Sequence, residues 1–253
     1  MKRVRVIPAL LMQDGGLVKS IRFKAHKYVG DPINAVKIFN EKGADEIVLL
    51  DRSAFKTGPD MSRIQDIASE AFMPLGYGGG ITTLEQIRTL IAGGVEKVIL
   101  NTAAVTTPSL VTDGASYVGS QSIVVSLDVK KNWLGKYKVF THNGTKDSGM
   151  DPLEFAKKME TAGAGEILLT SIDRDGTFGG YDLNLLKAVT SVLSIPVVAA
   201  GGAGSLHDFV QAVGQGASAV AAGSFFVFQL PHRAVLISYP AEIELKEKVF
   251  SRL

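Results

Sequence analysis

The chain has 253 residues, of which 27 are basic and 25 acidic, and its formal net charge is +2. This balance gives no strong attraction to nucleic acid or to an anionic membrane, so neither partner is expected. The chain holds no cysteine, which excludes disulfides, thiolate metal sites and a cysteine nucleophile.

The N-terminus, residues 1–8, is basic but reaches Gln13 and Asp14 too soon for a signal peptide. No apolar run has the length of a membrane span, so we expect a cytoplasmic protein. The histidines show no metal-ligand spacing, and neither a metal nor an organic cofactor is expected. They are His26, His142, His207 and His232.

Short apolar runs, typical of buried strands, recur along the whole chain. We predict eight strands, at residues 4–11, 46–51, 73–77, 98–100, 122–128, 166–171, 197–200 and 219–222. Helices are predicted between them, from residue 31, over 64–72 and 83–92, from 107, from 151, over 181–192, from Ser205 and over 241–250. Residues 133–149 are predicted as a polar excursion with no element of their own.

Strands that read as continuous apolar runs belong to a parallel sheet covered by helices. Eight such units in about 250 residues predict an α/β fold, a single closed (β/α)8 TIM barrel over residues 1–253. A doubly wound open sheet is the alternative. An internal repeat favours closure, because residues 79–84, 97–102 and 43–50 recur as 201–206, 219–224 and 163–170. The half-barrels are therefore about 1–120 and 121–253.

A glycine-rich turn, Gly79-Gly80, follows the third predicted strand, and its repeat, Gly201-Gly202, follows the seventh. Gly201-Gly202 precedes Ser205, a potential helix cap, and Gly223-Ser224 follows the next strand. Exposed backbone N–H groups at strand-to-helix turns favour anions, so these turns are candidate phosphate sites. The alternative is that they are tight turns that pack a helix against a strand.

The active site of such a barrel lies at the C-terminal ends of its strands. Asp128 ends an apolar strand and would project into a partly dry cavity, which raises a carboxyl pKa and suits acid–base catalysis. It could instead cap the following turn. Lys19 could clamp a substrate or simply be solvated.

Two further carboxylates follow strands two and six. Asp51 and Asp175 could orient substrate hydroxyls, or they could form structural ion pairs with Arg52 and Arg174. At the opposite end of the barrel, four charged residues begin strands and could converge as a ring of alternating sign. They are Arg5, Glu46, Lys97 and Glu166. A salt-bridged plug that seals the floor is the alternative to a functional gate.

These residues together resemble the cyclase subunit of imidazole glycerol phosphate synthase, from histidine biosynthesis. The matching segments run over nearly the whole chain, at residues 7–8, 78–81, 123–125, 139–142, 163–171, 173–177, 180–182 and 201–204. The resemblance implies a (β/α)8 barrel that binds a phosphorylated small molecule with two phosphates. It assigns phosphate binding to Gly80, Asn101, Thr102, Gly176, Gly202, Gly223 and Ser224.

The resemblance also implies that Thr170 joins Asp51 and Asp175 in orienting the substrate, and that Lys19 and Asp128 are catalytic. Family members pair with a separate glutaminase that docks at the N-terminal barrel face. Ammonia then passes a gate, which here corresponds to the four charged floor residues, and crosses the barrel. The absence of cysteine agrees with this, because such a glutaminase needs a cysteine nucleophile.

One departure from the family pattern bears directly on activity. The cyclases carry two catalytic Asp residues, and the position of the first is Leu11 here. A leucine transfers no proton, so its presence should cost on the order of 10²–10⁴ in cyclase rate. Gly76 and Ala200 also replace hydroxyl residues usual in the cyclases.

Residues 10–11 and 231–240 resemble a specialised branch that accompanies sugar amidotransferases of bacterial surface polysaccharide. In that branch, acetamido groups become acetamidino groups. Our preferred interpretation is therefore an ammonia-conducting subunit with weakened cyclase chemistry. Two alternatives stay open: a working histidine-pathway cyclase, and a non-catalytic barrel that senses a phosphorylated metabolite and regulates its glutaminase.

Overall fold

The computed structural model describes residues 3–253, so Met1 and Lys2 of the predicted basic N-terminus lie outside the described residues. The strands are β1 (Arg5–Gln13), β2 (Gly16–Ile21), β3 (Lys24–Gly30), β4 (Ile47–Asp51), β5 (Leu75–Gly78), β6 (Lys97–Leu100), β7 (Ile123–Lys131), β8 (Tyr137–Thr141), β9 (Lys146–Asp147), β10 (Glu166–Ser171), β11 (Val197–Ala200), β12 (Ala219–Ala222), β13 (Phe228–Gln229) and β14 (Ala234–Val235).

The helices lie between and after these strands. They are α1 (Pro32–Glu41), α2 (Ala54–Thr57), α3 (Met61–Ser69), α4 (Leu84–Ala92), α5 (Thr102–Thr106), α6 (Ser109–Val118), α7 (Pro152–Thr161), α8 (Leu183–Thr190), α9 (Leu206–Gly214), α10 (Ser224–Val227) and α11 (Glu242–Lys248). Ser120–Ser122 and Phe250–Arg252 form 3-10 turns. Over residues 3–253, no helix combines the length and apolarity needed to cross a membrane.

Eight parallel strands close into a barrel, which confirms the predicted (β/α)8 fold. Their order around the barrel is β1, β4, β5, β6, β7, β10, β11 and β12. The ring closes because β12 pairs with β1, and in the register Arg5 lies beside Ala219. Closure removes every exposed parallel edge, which an open doubly wound sheet would retain.

The predicted starts of several helices are confirmed by their caps. Asp31 accepts a hydrogen bond from the backbone N–H of Asn34 at 3.0 Å, and Pro32 occupies the first turn. Thr83 accepts from the N–H of Gln86 at 3.2 Å in a capping box. Ser205 directly precedes α9. The Asp31 and Thr83 side chains satisfy N–H groups that a helix leaves unpaired, whereas the Ser205 hydroxyl donates to the Asp208 carboxylate at 3.2 Å.

The antiparallel strands at the C-terminal mouth of the barrel were not predicted. They form three hairpin units: β2 pairs with β3 and with the end of β1, β7 continues beyond the barrel to pair with β8, which also pairs with β9, and β13 pairs with β14. The prediction that residues 133–149 lack structure is therefore wrong. These strands are short and interleave polar with apolar residues, and all but β2, in which residues 17–20 are buried, are largely exposed or only partly buried. They therefore lack the continuous apolar runs from which the buried strands were recognised. The predicted end of a helix at Phe72 is also wrong, because α3 ends at Ser69.

The apolar residues form two layers separated by the barrel wall. The larger layer packs the outside of the strands against the helices and includes Phe39, Phe209 and Phe226. The smaller layer fills the inside, and its members alternate along the strands with those of the outer layer. The inner residues are Ile7, Val48, Ile99, Val124, Leu168, Val198, Ala219 and Ala221, with Ala9, Leu50 and Ala200 at their edge.

The repeated glycine turns meet backbone in both halves of the barrel. A Cβ on Gly80 would collide with the carbonyl oxygen of Ala54, and a Cβ on Gly202 with that of Gly180. Both glycines have positive φ, of 63° and 117°. A side chain is excluded there by steric contact and by backbone conformation alike.

We expect Gly202→Ala to lower the free energy of unfolding by about 2 kcal/mol or more, because strain and collision add. Gly214→Ala is the matched control, because Gly214 ends α9 and a Cβ there would meet no atom within 4 Å. It should be neutral or stabilising by about 0.5 kcal/mol. Urea unfolding of both variants measures the difference; equal stabilities would show that the Gly202 turn can relax.

Candidate functional site

A cavity of about 250 Å³ opens at the C-terminal ends of the barrel strands. Its wall contains most of the residues that the sequence singled out, which the fold brings together from separate strand ends. These are Leu11, Lys19, Asp51, Gly80, Asn101, Thr102, Asp128, Thr170, Asp175, Gly223 and Ser224. Gly176 and Gly202 lie in the adjoining loops and do not line the cavity.

Asp128 faces the cavity from the inner side of β7. Its carboxylate accepts hydrogen bonds from the Ser126 hydroxyl at 3.1 Å and from the Asn101 amide at 3.4 Å. Burial raises the pKa of Asp128 to about 7, although the Ser126 and Thr170 hydroxyls oppose that shift. Asp128 is thus a buried carboxyl with a raised pKa, and its hydrogen bonds give no support for the alternative of a turn cap. Its role in acid–base catalysis stays a prediction.

Lys19 is a buried cation, not a solvated one, so that alternative is wrong. It lies on β2, is 6% exposed, and its Nζ donates to the carbonyl oxygen of Ala9 at 2.7 Å. Burial lowers the pKa of Lys19 to about 8, and the nearby Asp175 carboxylate partly opposes this. A Cβ on Gly223 would lie 2.6 Å from Nζ, so glycine at this position gives the ammonium its place.

The loop after β10 is bound to the β2–β3 hairpin. The Ser20 hydroxyl donates to Asp175 Oδ2 at 3.2 Å, and the Arg22 N–H donates to the Asp175 carbonyl at 2.9 Å. Burial raises the pKa of the Asp175 carboxyl, whereas Lys19 opposes the shift. A Cβ on Gly176 would collide with the Ser20 carbonyl, so this glycine permits the contact.

Neither predicted ion pair of these carboxylates is present within residues 3–253. Asp51 accepts from the N–H and hydroxyl of Ser53 at 2.9 and 2.6 Å, which makes it a local turn cap. Arg52 instead donates to Gln13 Oε1 at 2.7 Å. Arg174 donates to the Gly179 carbonyl at 2.9 Å. The partners of Asp51 lie in its own turn, and the carboxylate still lines the cavity.

Leu11 lies on the wall of the cavity and brings no polar atom to it. In the sheet register, Leu11 lies beside Leu50 of the neighbouring strand β4 and beside Val18 of β2. The inner-layer residues Ile99 and Leu168 line the same cavity. Of the two catalytic carboxylates that the resemblance implies, the site therefore holds one, Asp128, at the end of an apolar interior.

Asn101 and Thr102 are turned toward protein atoms. Asn101 Nδ2 donates to the Ser126 and Phe140 carbonyls at 3.1 and 3.3 Å. The Thr102 hydroxyl accepts from the His142 N–H at 3.2 Å. Through these contacts, both residues stabilise the turn after β6. The turn also forms part of the cavity wall.

The four charged floor residues form a closed ring of ion pairs. Arg5 pairs with both Glu46 and Glu166. Lys97 Nζ lies 2.9 Å from Glu46 Oε2 and 2.7 Å from Glu166 Oε2. The two glutamate side chains are only 4% and 6% exposed. Each glutamate therefore accepts from both cations, as the predicted ring of alternating sign requires.

Several residues of the cavity wall were not identified in the sequence. Ser20, Phe23 and His26 come from the β2–β3 hairpin, Phe55 from α2, and Asn143 from the loop after β8. Their elements are short or exposed, and no motif marked them. Within residues 3–253, no group of three or more His, Asp or Glu side chains is arranged to hold a metal ion.

Comparison with known proteins gives full-length matches. The sequence pattern of a family described as histidine biosynthesis protein matches residues 5–230. A Leptospira interrogans relative is 49% identical over 99% of this chain and 100% of its own. Relatives from Pseudomonas aeruginosa and Vibrio vulnificus are 52% and 51% identical, over 95% and 98% of this chain and 97% and 96% of theirs. Their provisional names are imidazole glycerol phosphate synthase subunit HisF, hisF2 and hisF3.

The buried Asp128 carboxyl generates a prediction about stability and pH. Its folded pKa, about 7, exceeds the ordinary value of 3.8, so the folded state binds the proton more tightly. Stability from this group is present at low pH and is lost as pH rises from 4 through 7. Asp128→Asn removes this loss, so its stability relative to wild type should rise by about 1–3 kcal/mol between roughly pH 4 and pH 8.

Lys19→Met provides the comparison with opposite sign. The folded pKa of Lys19 is about 8 against an ordinary 10.5, so wild-type stability rises with pH between those values. The gain from Lys19→Met should therefore be largest below about pH 8. Denaturant unfolding at several pH values measures both variants. A pH-independent difference for Asp128→Asn would contradict the assignment of Asp128 as a desolvated acid.

Proposed function

The chain belongs to the histidine biosynthesis protein family, and we propose that it is the barrel subunit of a glutamine-dependent amidotransferase complex. A separate glutaminase docks on the N-terminal face and releases ammonia there. The ammonia crosses the barrel to the C-terminal cavity. Its final acceptor is an acetamido sugar of bacterial surface polysaccharide. A further enzyme uses a nucleoside triphosphate to activate the amide oxygen as a leaving group and replaces it with the ammonia nitrogen, which gives the acetamidino form.

The observation that carries this proposal is that the floor ring and apolar interior are intact where one catalytic carboxylate is replaced. Arg5, Glu46, Lys97 and Glu166 close the floor of the barrel. Leu11 lies at the other end, in the cavity that holds Asp128. The route for ammonia is therefore kept, while the paired acid–base chemistry is reduced to one group.

The interior favours uncharged ammonia over ammonium. Between the ring and the cavity lie aliphatic side chains, several of them alanines, such as Ala9, Ala219 and Ala221. An ammonium ion would lose its hydration there without a counter-ion, at a large free-energy cost, whereas ammonia would not. Ion pairs of the ring would have to separate to admit it, and Arg5, 33% exposed in its side chain, is the most accessible member.

The sugar acceptor is supported by sequence features alone, namely residues 10–11 and 231–240. The name of the Pseudomonas aeruginosa relative marks a second hisF, as that of the Vibrio vulnificus relative marks a third. In an organism with several such subunits, one can act in histidine biosynthesis while another acts in a different reaction. The acceptor would be bound by the further enzyme rather than by this chain.

A working cyclase is the second candidate, favoured by one observation. Lys19, Asp51, Asp128, Thr170 and Asp175 all line one cavity, as the resemblance implies for substrate positioning and acid–base catalysis. A bisphosphorylated substrate could lie between the turns at Asn101 and Gly223. If the chain is an ammonia-conducting subunit, the lack of a carboxylate at Leu11 limits the cyclase reaction. If the chain is a working cyclase, it does not.

We expect Leu11→Asp to raise cyclase activity by on the order of 10²-fold or more. The assay supplies the phosphoribulosyl substrate of the histidine pathway with an ammonium salt and measures imidazole glycerol phosphate. Leu11→Asn is the control, because it introduces polarity without a titrating proton. Wild-type turnover as fast as that of Leu11→Asp would contradict the proposed function and favour the cyclase.

We expect Ala221→Leu to block the barrel interior, because Ala221 is fully buried within the inner layer. Glutamine-dependent amidation by the complete complex should fall at least ten-fold, while amidation from added ammonium chloride persists. Ala241→Leu, on an exposed position before α11, is the control.

Thermal unfolding checks that Ala221→Leu folds, since overpacking costs about 1–3 kcal/mol. Ala200→Leu, at the less buried edge of the inner layer, replaces it if it does not. Equal losses with glutamine and ammonium, or no loss in either, would exclude the barrel as the ammonia route.

A further inference from the structure

The three hairpins at the barrel mouth are tied to a single loop, residues 172–180. The Arg22 N–H of the first hairpin donates to the Asp175 carbonyl at 2.9 Å. The Lys131 N–H of the second donates to Asp173 Oδ2 at 3.0 Å. The Arg233 guanidinium of the third donates to the Gly176 carbonyl at 2.9 Å. The hairpins therefore form one connected surface, here called the mouth surface, comprising residues 16–30, 129–141 and 228–236.

The mouth surface carries a concentrated positive charge. Its three segments contain nine Lys and Arg side chains and no Asp or Glu, although the net charge of the chain is only +2. In the described part of the chain, none of these nine forms an ion pair with a carboxylate. Apart from Lys19, which is buried beside Asp175, they leave the positive charge of the surface available to a partner.

The same surface exposes large apolar side chains. Trp133 is the only tryptophan of the chain and is 90% exposed, and Leu134 beside it is 58% exposed. Leu230, Val235 and Leu236 are exposed on the third hairpin. Exposed apolar side chains grouped in one region, and tryptophan above all, are typical of protein interfaces.

The turn that contains Trp133 is stabilised by hydrogen bonds to the side chain of Asn132. Asn132 Oδ1 accepts hydrogen bonds from the N–H groups of Leu134 and Lys136, each at 3.0 Å. Lys131 Nζ lies 4.9 Å from the centroid of the Tyr137 ring, a cation–π contact at the base of the turn. A preformed turn loses little conformational entropy when a partner covers it.

We propose that the mouth surface docks an acidic, partly apolar face of the enzyme that consumes the ammonia. The proposal rests on the proposed function, since that function delivers ammonia to this end of the barrel. The surface is continuous with the cavity, because Ser20 and Phe23 of the first hairpin line it, and Ser224 begins the helix before the third. A docked partner prevents ammonia from escaping to water, where it becomes ammonium and loses its nucleophilicity.

Attraction of a phosphorylated metabolite is the competing explanation of the charge. A basic rim raises the association rate of an anionic ligand without any partner protein. It does not account for Leu134 or for the exposed apolar face of Trp133, of which only the indole N–H could bind a phosphate. A protein partner accounts for both the charge and the apolar side chains, through complementary charge and burial of an aromatic anchor.

The experiment replaces Trp133 with a photo-crosslinking amino acid in the full chain, expressed in the source cells. Tyr117, an aromatic residue 58% exposed on α6, is the control position. The expected result is one major crosslinked protein at position 133 and not at 117. Once purified and supplied with a nucleoside triphosphate, that protein should use ammonia to convert an acetamido sugar to its acetamidino form. It should also bind the complex of this chain with its glutaminase.

Binding by the purified partner is then measured with variants. Trp133→Ala and Lys136→Glu should each weaken its affinity at least ten-fold, and Tyr117→Ala should leave it unchanged. All three should retain the glutaminase on the opposite face, so loss of the glutaminase would instead count against the proposed function. Absence of a crosslink specific to position 133, a crosslinked protein that consumes no ammonia, or unchanged affinity of Trp133→Ala would overturn the docking proposal.

Discussion

The closed ring of ion pairs at the barrel floor constrains the rest of the structure. Glu46 and Glu166 are almost fully buried, and each is compensated only because Arg5 and Lys97 approach it from both sides. A buried ion pair is not in itself more stable than a well-packed apolar pair. Aliphatic side chains would seal the floor with less desolvation. Stability alone therefore does not account for the ring, and the ammonia gate of the proposed function is one role that would.

The interior above the ring determines the chemistry of the cavity. Aliphatic side chains continue from the ring to Leu50 and Leu11. Burial raises the pKa of Asp128 to about 7, even though the Ser126 and Thr170 hydroxyls oppose the shift. The same environment lowers the pKa of Lys19 to about 8. The dry interior brings the pKa values of Asp128 and Lys19 close to neutral pH. It also suits the uncharged ammonia of the proposed function, and that role does not depend on the group at position 11.

The sequence predicted the barrel well and its mouth poorly, for a physical reason. Buried strands are continuous apolar runs, so Glu166–Ser171, Val197–Ala200 and Ala219–Ala222 were predicted with the bounds observed. The hairpin strands interleave lysines with apolar residues and, apart from the buried β2, are largely exposed or only partly buried, so they carry no comparable continuous apolar run. Side-chain partners are harder to infer. An Asp51–Arg52 ion pair was one of two alternatives suggested by adjacency in the sequence, whereas the Asp51 carboxylate accepts from the N–H and hydroxyl of Ser53. Sequence identifies which residues are buried more readily than which atoms they bond.

The repeated glycine turns show how far a motif can be interpreted. Gly80 and Gly202 are required by contact with a backbone carbonyl in each half, so their presence needs no ligand. The turns after β6 and β12 differ from each other, because Asn101 in the first half of the barrel corresponds to Gly223 in the second. Asn101 is held by the carbonyls of Ser126 and Phe140, whereas Gly223 leaves room for the ammonium group of Lys19. A cation beside one turn and an amide beside the other cannot serve the two ends of a ligand equally. The turn at Gly223 is therefore better placed to hold an anion than the turn at Asn101. The glycine repeat suggests two equivalent turns, but the residues beside these turns are not equivalent.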